Sequence, residues 1–314
     1  HVTRVIFEGT VAVGVEWVSQ GKAECAEASG EVILSGGALQ SPQILMLSGV
    51  GAAEMLGRHR IAVVADSPGV GGNLQDHYQA RTIVRLKQPT SLNNQVRNPF
   101  SLAAMGWDWL AHGRGPLTIG AGQVGGGACS EHAVNTRPDI QFNVMPLSVD
   151  KPGDPLHRYA GFTAAMWQCH PRSRGRLSLR SADPFADPLI EPGYLSDPHD
   201  RRVTVAGIRM LREIYRQPAF RPLWDEEVLP GAEATSEQQL LAFAQRHGGT
   251  VFHPCGTCRM GSDSRSVVDP ALRVRGVERL RVIDASVMPT ITSANTNAAS
   301  LMIGEKGASL VLSK

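Results

Sequence analysis

EVILSGGALQSPQILMLSGVG, residues 31–51, carries three kinds of signal in one stretch. The β-branched run EVILS at 31–35 reads as a short strand, and two glycines follow it. Ser41-Pro42 then predicts a helix start, with Ser41 as the cap and Pro42 in the first turn. Ile44, Leu45, Met46 and Leu47 leave that helix no polar face over four positions, so it should be buried nearly all round, and Gly49 and Gly51 end it. Strand, glycine turn and buried helix in this order are the local grammar of an α/β nucleotide fold, although the full phosphate-binding fingerprint is not in it.

Working outward, residues 4–18 (RVIFEGTVAVGVEWV) alternate around a glycine-containing turn and predict a β-hairpin. Residues 61–77 give another short strand and a glycine loop, and LRVRGVERLRVIDASVMPT near the C-terminus reads as a strand running into an Asp-Ala-Ser turn. Between about 80 and 190, strand-like runs such as TIVRL, DIQFNVMPL and GFTAAMWQC are broken by Pro, Gly and Asp, which suggests an antiparallel sheet in a second lobe. Asp197-Pro198 opens a helix that ends by Pro218, Thr235 with Gln238 suggests a capping box, and NAASLMIGEKGASLVL closes the chain as a helix. The fold class is therefore α/β (α+β): part of a Rossmann-like domain over residues 1–80 and 265–314, and a second domain over 81–264.

With 314 residues, two lobes sharing a large core is the natural expectation. A formal charge of +2 with no dense Lys/Arg run argues against nucleic acid as a partner. No apolar segment reaches the roughly 18 residues of a transmembrane helix, and five cysteines scattered through a large chain fit a reducing compartment. These features point to a cytoplasmic location or a peripheral one at a membrane surface. GAGQVG at 120–125 matches G-x-G-x-x-G literally, but two more glycines stand where a helix should begin, so a loop is expected. VFHPCGTCRMG at 251–261 sets His253, Cys255 and Cys258 within six positions. A zinc site would need further ligands at matching spacing, which are absent, and a redox dithiol would want its C-x-x-C at a helix start. A histidine of the core is the plain alternative.

Six stretches taken together carry a resemblance. They are VTRVIFEG…AVGVE (2–16), EVILSGGALQSPQILMLSGVG (31–51), PGVGGNLQDH (68–77), RGRLSLRSADPFADPLIEPGYLSDPHD (174–200), FHPCGTCRMG (252–261) and VIDASVMPTITSANTNAASLMIGEKGA (282–308). In this order the chain resembles the glucose-methanol-choline (GMC) oxidoreductases, FAD-dependent alcohol oxidases and dehydrogenases, most nearly their bacterial alcohol and choline dehydrogenase branch. The resemblance implies that 1–80 and 265–314 form an FAD-binding domain and 81–264 a substrate-binding domain. It implies FAD as cofactor, a small-molecule alcohol as substrate, and dioxygen or a quinone as electron acceptor. Relatives begin with an FAD fingerprint that this chain does not contain, so a preceding portion or an N-terminal companion chain is expected to supply it.

By the same resemblance His253 matches the catalytic base and Asn297 the second active-site position. Val2, Asp284, Ala285, Thr296 and Asn297 match cofactor-contacting positions, and Asn73, Asp76 and His77 a loop near the flavin edge with roles left open. The chemistry suits the assignment: an imidazole with an ordinary pKa near 6.5 can accept a hydroxyl proton at neutral pH, and an amide can orient that hydroxyl. For Asp284 a plain Asx turn after a strand stays open beside the cofactor role. The expected reaction is oxidation of an alcohol to an aldehyde. A hydroxynitrile lyase of the same fold, or an inactive C-terminal fragment, is the alternative.

Overall fold

The computed structural model describes every residue except Ala121, Asn135, Pro152 and Lys314. It divides into two compact units, residues 1–77, 170–196 and 252–314, and residues 78–169 and 197–251.

The first unit begins with an antiparallel meander, Val2–Glu8, Val11–Ser19 and Lys22–Glu27. The predicted hairpin is its first half. Gly9 takes φ +60° in the two-residue turn, and Gln20-Gly21 holds φ 50° and 76° in the next, the positive-φ pair that a tight hairpin with right-handed twist requires. Val32–Leu34 then pairs parallel with Leu280–Val282, 248 residues later in the register Val32↔Leu280 to Leu34↔Val282. This is the parallel, Rossmann-like element, and the Ile283 N–H extends it by donating to the Leu34 carbonyl.

The buried helix of the opening stretch is present as Gly37–Leu47, five residues longer at its start than Ser41-Pro42 implied. Ser41 is not its cap. The Ser41 hydroxyl accepts from the Gly36 N–H and donates to Asp284, while Pro42 sits inside the helix. An interior proline leaves the carbonyl four residues back without its helical donor. That carbonyl belongs to Ala38, and the Thr257 hydroxyl donates to it at 2.6 Å. A tertiary contact thus repairs what local grammar forbids. Val5, Leu45, Met46, Val282, Cys255 and Cys258 are among the side chains that fill the core of this unit.

The domain boundaries differ from those expected. Residues 170–196 and 252–264 fall in the first unit, because Gly175 bridges Leu74, Leu177 donates to the Gly71 carbonyl, and both cysteines of the 251–261 stretch lie in its core.

In the second unit the expected antiparallel sheet is found, in the order Trp224–Leu229, Tyr78–Leu86, Gly161–Gln168, Ile140–Met145, Val124–Ala128, with Gly249–Thr250 also on Tyr78–Leu86. Gly161–Gln168 is buried on both faces and the helix Pro198–Tyr215 packs on it. Asp197 caps that helix through the His199 N–H, as its Asp-Pro start suggested. The later capping box is one residue further along than expected, Ser236 with Gln239 rather than Thr235 with Gln238. The loop expected at 120–125 is also corrected: Val124 and Gly125 open an edge strand, and Ala121 lies outside the described residues. Pairing with Ile140–Met145 outweighs the poor strand propensity of three glycines, and the Phe142 ring covers Gly126.

Candidate active site

Three segments of the first unit converge on His253. The 251–261 stretch is clamped from both sides. Gln75 and Cys255 exchange two backbone hydrogen bonds of 3.0 and 2.9 Å, while the N–H groups of Gly256, Cys258 and Met260 donate to the carbonyls of Ala285, Ser286 and Val287. Gly256 holds φ +89°, and a Cβ there would stand 2.7 Å from the Asn73 carbonyl oxygen, so only glycine allows this close approach. Phe252, immediately before the histidine, also takes a positive φ of 63° and is 74% exposed. A bulky side chain in the left-handed region costs of order 1–3 kcal/mol and persists only where the surroundings impose it.

The imposing contact is visible. The backbone N–H of His253 donates to Asp76 Oδ1 at 2.9 Å, and Asp76 Oδ2 accepts from the Tyr194 hydroxyl at 2.5 Å. The His253 ring is held at both nitrogens. Nδ1 lies 3.0 Å from Nδ1 of His77, the two rings meeting edge-to-face, and Nε2 lies 3.0 Å from the amide nitrogen of Asn295. Burial pushes the His253 pKa down, against the opposing pull of the Asp76 charge, so the ring is neutral at neutral pH.

The expected partner, Asn297, is displaced by Asn295. Asn297 is the first residue of the C-terminal helix, Asn297–Leu312, while Asn295 lies in the loop before it and meets the ring. The two asparagines stand two positions apart in SANTN, and a motif match alone gave no means to choose between them. Thr296 is the N-cap residue of the helix but its side chain caps nothing, and no acidic residue occupies the first turn. The leading N–H groups therefore have no side-chain cap from Thr296 and carry the positive end of the helix dipole.

Asp284 is engaged inside the protein. Its Oδ2 accepts from the Gly37 N–H at 2.9 Å and the Ser41 hydroxyl at 2.5 Å, and Oδ1 accepts from the Ser286 N–H at 2.7 Å. The Asx-turn reading accounts for that carboxylate, which ties the Asp-Ala-Ser turn to the first helix. Ala285 opens the short 3-10 turn Ala285–Val287, and Val2 lies on an edge strand of the meander with its side chain at the surface. Ser293 meets His170 Nε2 at 3.1 Å in the same loop as Asn295.

The cysteines are buried completely, and burial pushes the Cys255 thiol up to about 12 and Cys258 higher still. Both are protonated packing groups at neutral pH. Among the described residues no group of three or more His, Cys, Asp or Glu is arranged to hold a metal ion, and no helix is long and apolar enough to cross a membrane.

The sequence matches the GMC oxidoreductase family over residues 1–79 and 171–304. The chain is 40% identical over 320 residues to an alcohol dehydrogenase [acceptor] of Pseudomonas putida, which covers 100% of this chain and 57% of that protein. It is 41% identical over 312 residues to mitochondrial choline dehydrogenase of Homo sapiens, covering 99% of this chain and 52% of the relative. The chain thus spans about half the length of the curated relatives it matches. Among solved structures, formate oxidase of Aspergillus oryzae, in work on its FAD modification, superposes with a TM-score of 0.94 at 26% identity, covering 99% of this chain and 59% of that one. Pyridoxine 4-oxidase of Mesorbium loti gives a TM-score of 0.82 at 27% identity, over 98% of this chain and 56% of that one. Fold, site geometry and sequence agree: the chain belongs to the GMC oxidoreductases, a family of FAD-binding flavoproteins.

Proposed function

We propose that this chain supplies the proton-handling half of an FAD-dependent enzyme that oxidises an alcohol to an aldehyde, with His253 as general base. The observation that carries the reading is the His253 ring itself. It is neutral through burial, anchored at Nδ1 by His77, and presents Nε2 beside the amide of an exposed asparagine. An alcohol hydroxyl placed at Nε2 loses its proton to the ring, while the Asn295 amide donates to the oxygen as negative charge develops there. FAD, when bound, supplies the acceptor for the hydride that leaves the substrate carbon.

The residues fit that cofactor. The uncapped start of Asn297–Leu312 offers backbone donors and a positive helix end to the electron-rich flavin ring, and Ala285 and Thr296 lie on the two turns beside the His253 loop. Val2 is proposed to meet the adenine end through its backbone, and Asp284 to act by holding the turn. The names of the relatives support an alcohol as substrate and, for an oxygen-dependent one, dioxygen as electron acceptor; a quinone is the other acceptor proposed. A preceding portion of the protein, in the same or a companion chain, is proposed to grip the ADP moiety, since the relatives extend well beyond the matched half.

The test is anaerobic mixing of the full-length, FAD-loaded protein with a panel of primary alcohols. Loss of the oxidised flavin absorbance with at least one alcohol is expected, and no bleaching with any of them overturns the proposal. Because the folded pKa of His253 lies below the ordinary 6.5, the base form persists at neutral pH, and the rate should fall only as pH drops through that lowered value.

A further inference from the structure

His77 has no part in the reaction as described so far, yet it is 0% exposed and its ring meets the base. We propose that His77 is a positioning residue: its Nδ1 accepts the hydrogen bond from Nδ1–H of His253 and so fixes the tautomer whose bare Nε2 faces the substrate hydroxyl. The inference rests on the alcohol-oxidation reading for its catalytic meaning, but its structural content stands on the ring contacts.

The argument is one of donor and acceptor count. Asn295 presents its amide nitrogen to His253 Nε2 at 3.0 Å, and an amide nitrogen only donates. Nε2 of His253 is therefore an acceptor, and the ring proton is on Nδ1. That Nδ1 lies 3.0 Å from Nδ1 of His77, where two hydrogens would clash and two lone pairs would repel, so His77 Nδ1 accepts and its own proton is on Nε2.

The segment that carries His77 is built to hold this register. Gln75 pairs with Cys255 through the backbone, and its side chain accepts from the Ile291 N–H at 3.2 Å and donates to the Pro289 carbonyl at 3.2 Å. Asp76 accepts the backbone N–H of His253. Three consecutive residues thus fix the base loop, the asparagine loop and the ring of the base.

Choice of an imidazole has a chemical consequence. A carboxylate at this position would also fix the tautomer, but its charge would raise the pKa of His253 and keep the resting ring protonated. The carboxylate at hand, Asp76, is directed instead to the backbone N–H and to the Tyr194 hydroxyl. In the proton transfer the substrate O–H bond breaks and an N–H bond forms at Nε2. The positive charge gained by His253 is then stabilised by a stronger Nδ1–H···Nδ1 bond to neutral His77.

Two variants of the FAD-loaded protein test this. In His77→Asn the amide oxygen takes the place of the Nδ1 acceptor, while His77→Phe keeps a ring and removes it. With general-base catalysis worth about 10²–10⁴-fold, His77→Phe should slow flavin reduction by about a hundredfold and His77→Asn by less than about tenfold. The second readout needs no turnover: ¹⁵N spectra of histidine-labelled resting protein should show His253 bare at Nε2 in the wild type and His77→Asn, and shifted toward Nε2–H in His77→Phe. A wild-type His253 protonated at Nε2 overturns the proposal, as does a His77→Phe protein with wild-type tautomer and rate. If the tautomer is as stated but no alcohol reduces the flavin, the positioning role stands and the assigned reaction falls.

Discussion

Replacing Thr257 with valine removes one hydroxyl of almost unchanged side-chain volume, at a residue that is fully buried. Its hydroxyl donates to the Ala38 carbonyl at 2.6 Å, the carbonyl that Pro42 leaves without a helical donor. Ala38 is itself buried, so water cannot take the place of the lost donor cheaply. An orphaned buried carbonyl costs about 1–3 kcal/mol. With an unfolding entropy of about 2.1 cal/mol/K per residue, a cost of about 2 kcal/mol in a chain of this length lowers Tm by about 3 °C. The proline is the control. Pro42→Ala restores an N–H at the position that normally serves the Ala38 carbonyl, so Thr257→Val should cost clearly less in the Pro42→Ala background. A double-mutant cycle in urea is the assay, with a coupling energy of about 1 kcal/mol or more expected for groups sharing one partner. Additivity within about 0.3 kcal/mol would refute the claim that Thr257 repairs the proline defect. Because Thr257 lies four positions after His253, a slower flavin reduction is expected to accompany the loss of stability.

Two further outcomes follow from the site. Asn295→Ala should lower kcat by about 10²–10³-fold, the usual loss when a donor to a developing oxyanion is removed, whereas Asn297→Ala should stay within a few fold; stopped-flow flavin reduction compares them. Iodoacetamide at neutral pH should label the folded protein at the exposed Cys25 and Cys129 and spare Cys169, Cys255 and Cys258, whose thiols burial holds protonated; peptide mass mapping reads the pattern.

Much of the local structure was legible without coordinates because the forces that set it are local. The hairpin at the front follows from alternation around Gly9, the helix at Pro198 from its Asp-Pro start, and the C-terminal helix from its run of strong helix formers. The opening stretch announced a strand, a glycine turn and a buried helix, and all three are present. Where the reading slipped, the deciding partner lay far away in sequence. Ser41 looked like a cap but serves Asp284, 243 residues on, and the helix starts earlier because Asp284 and Thr257 satisfy groups its own turns cannot. The glycine strand at 124–128 exists because Ile140–Met145 pairs with it.

The active site divides in the same way. The resemblance of its stretch to the family motif singles out His253 as the candidate base, whereas residue types and spacing alone leave a plain core histidine open. The environment of His253 could not be found that way. His77 is 176 positions from His253, and the pairing of Gln75 with Cys255 together with the bond from the His253 N–H to Asp76 brings the two Nδ1 atoms to 3.0 Å. Asn295 and Asn297 are chemically the same residue, and the choice between them depends on where a loop ends and a helix begins. Sequence alone determined most of the elements and which family the chain resembles, and it marked His253 as a candidate base, since propensity, pattern and side-chain chemistry travel with each residue. Only the tertiary structure decided which group that imidazole meets at each nitrogen, because hydrogen bonding is a property of groups brought together across the chain.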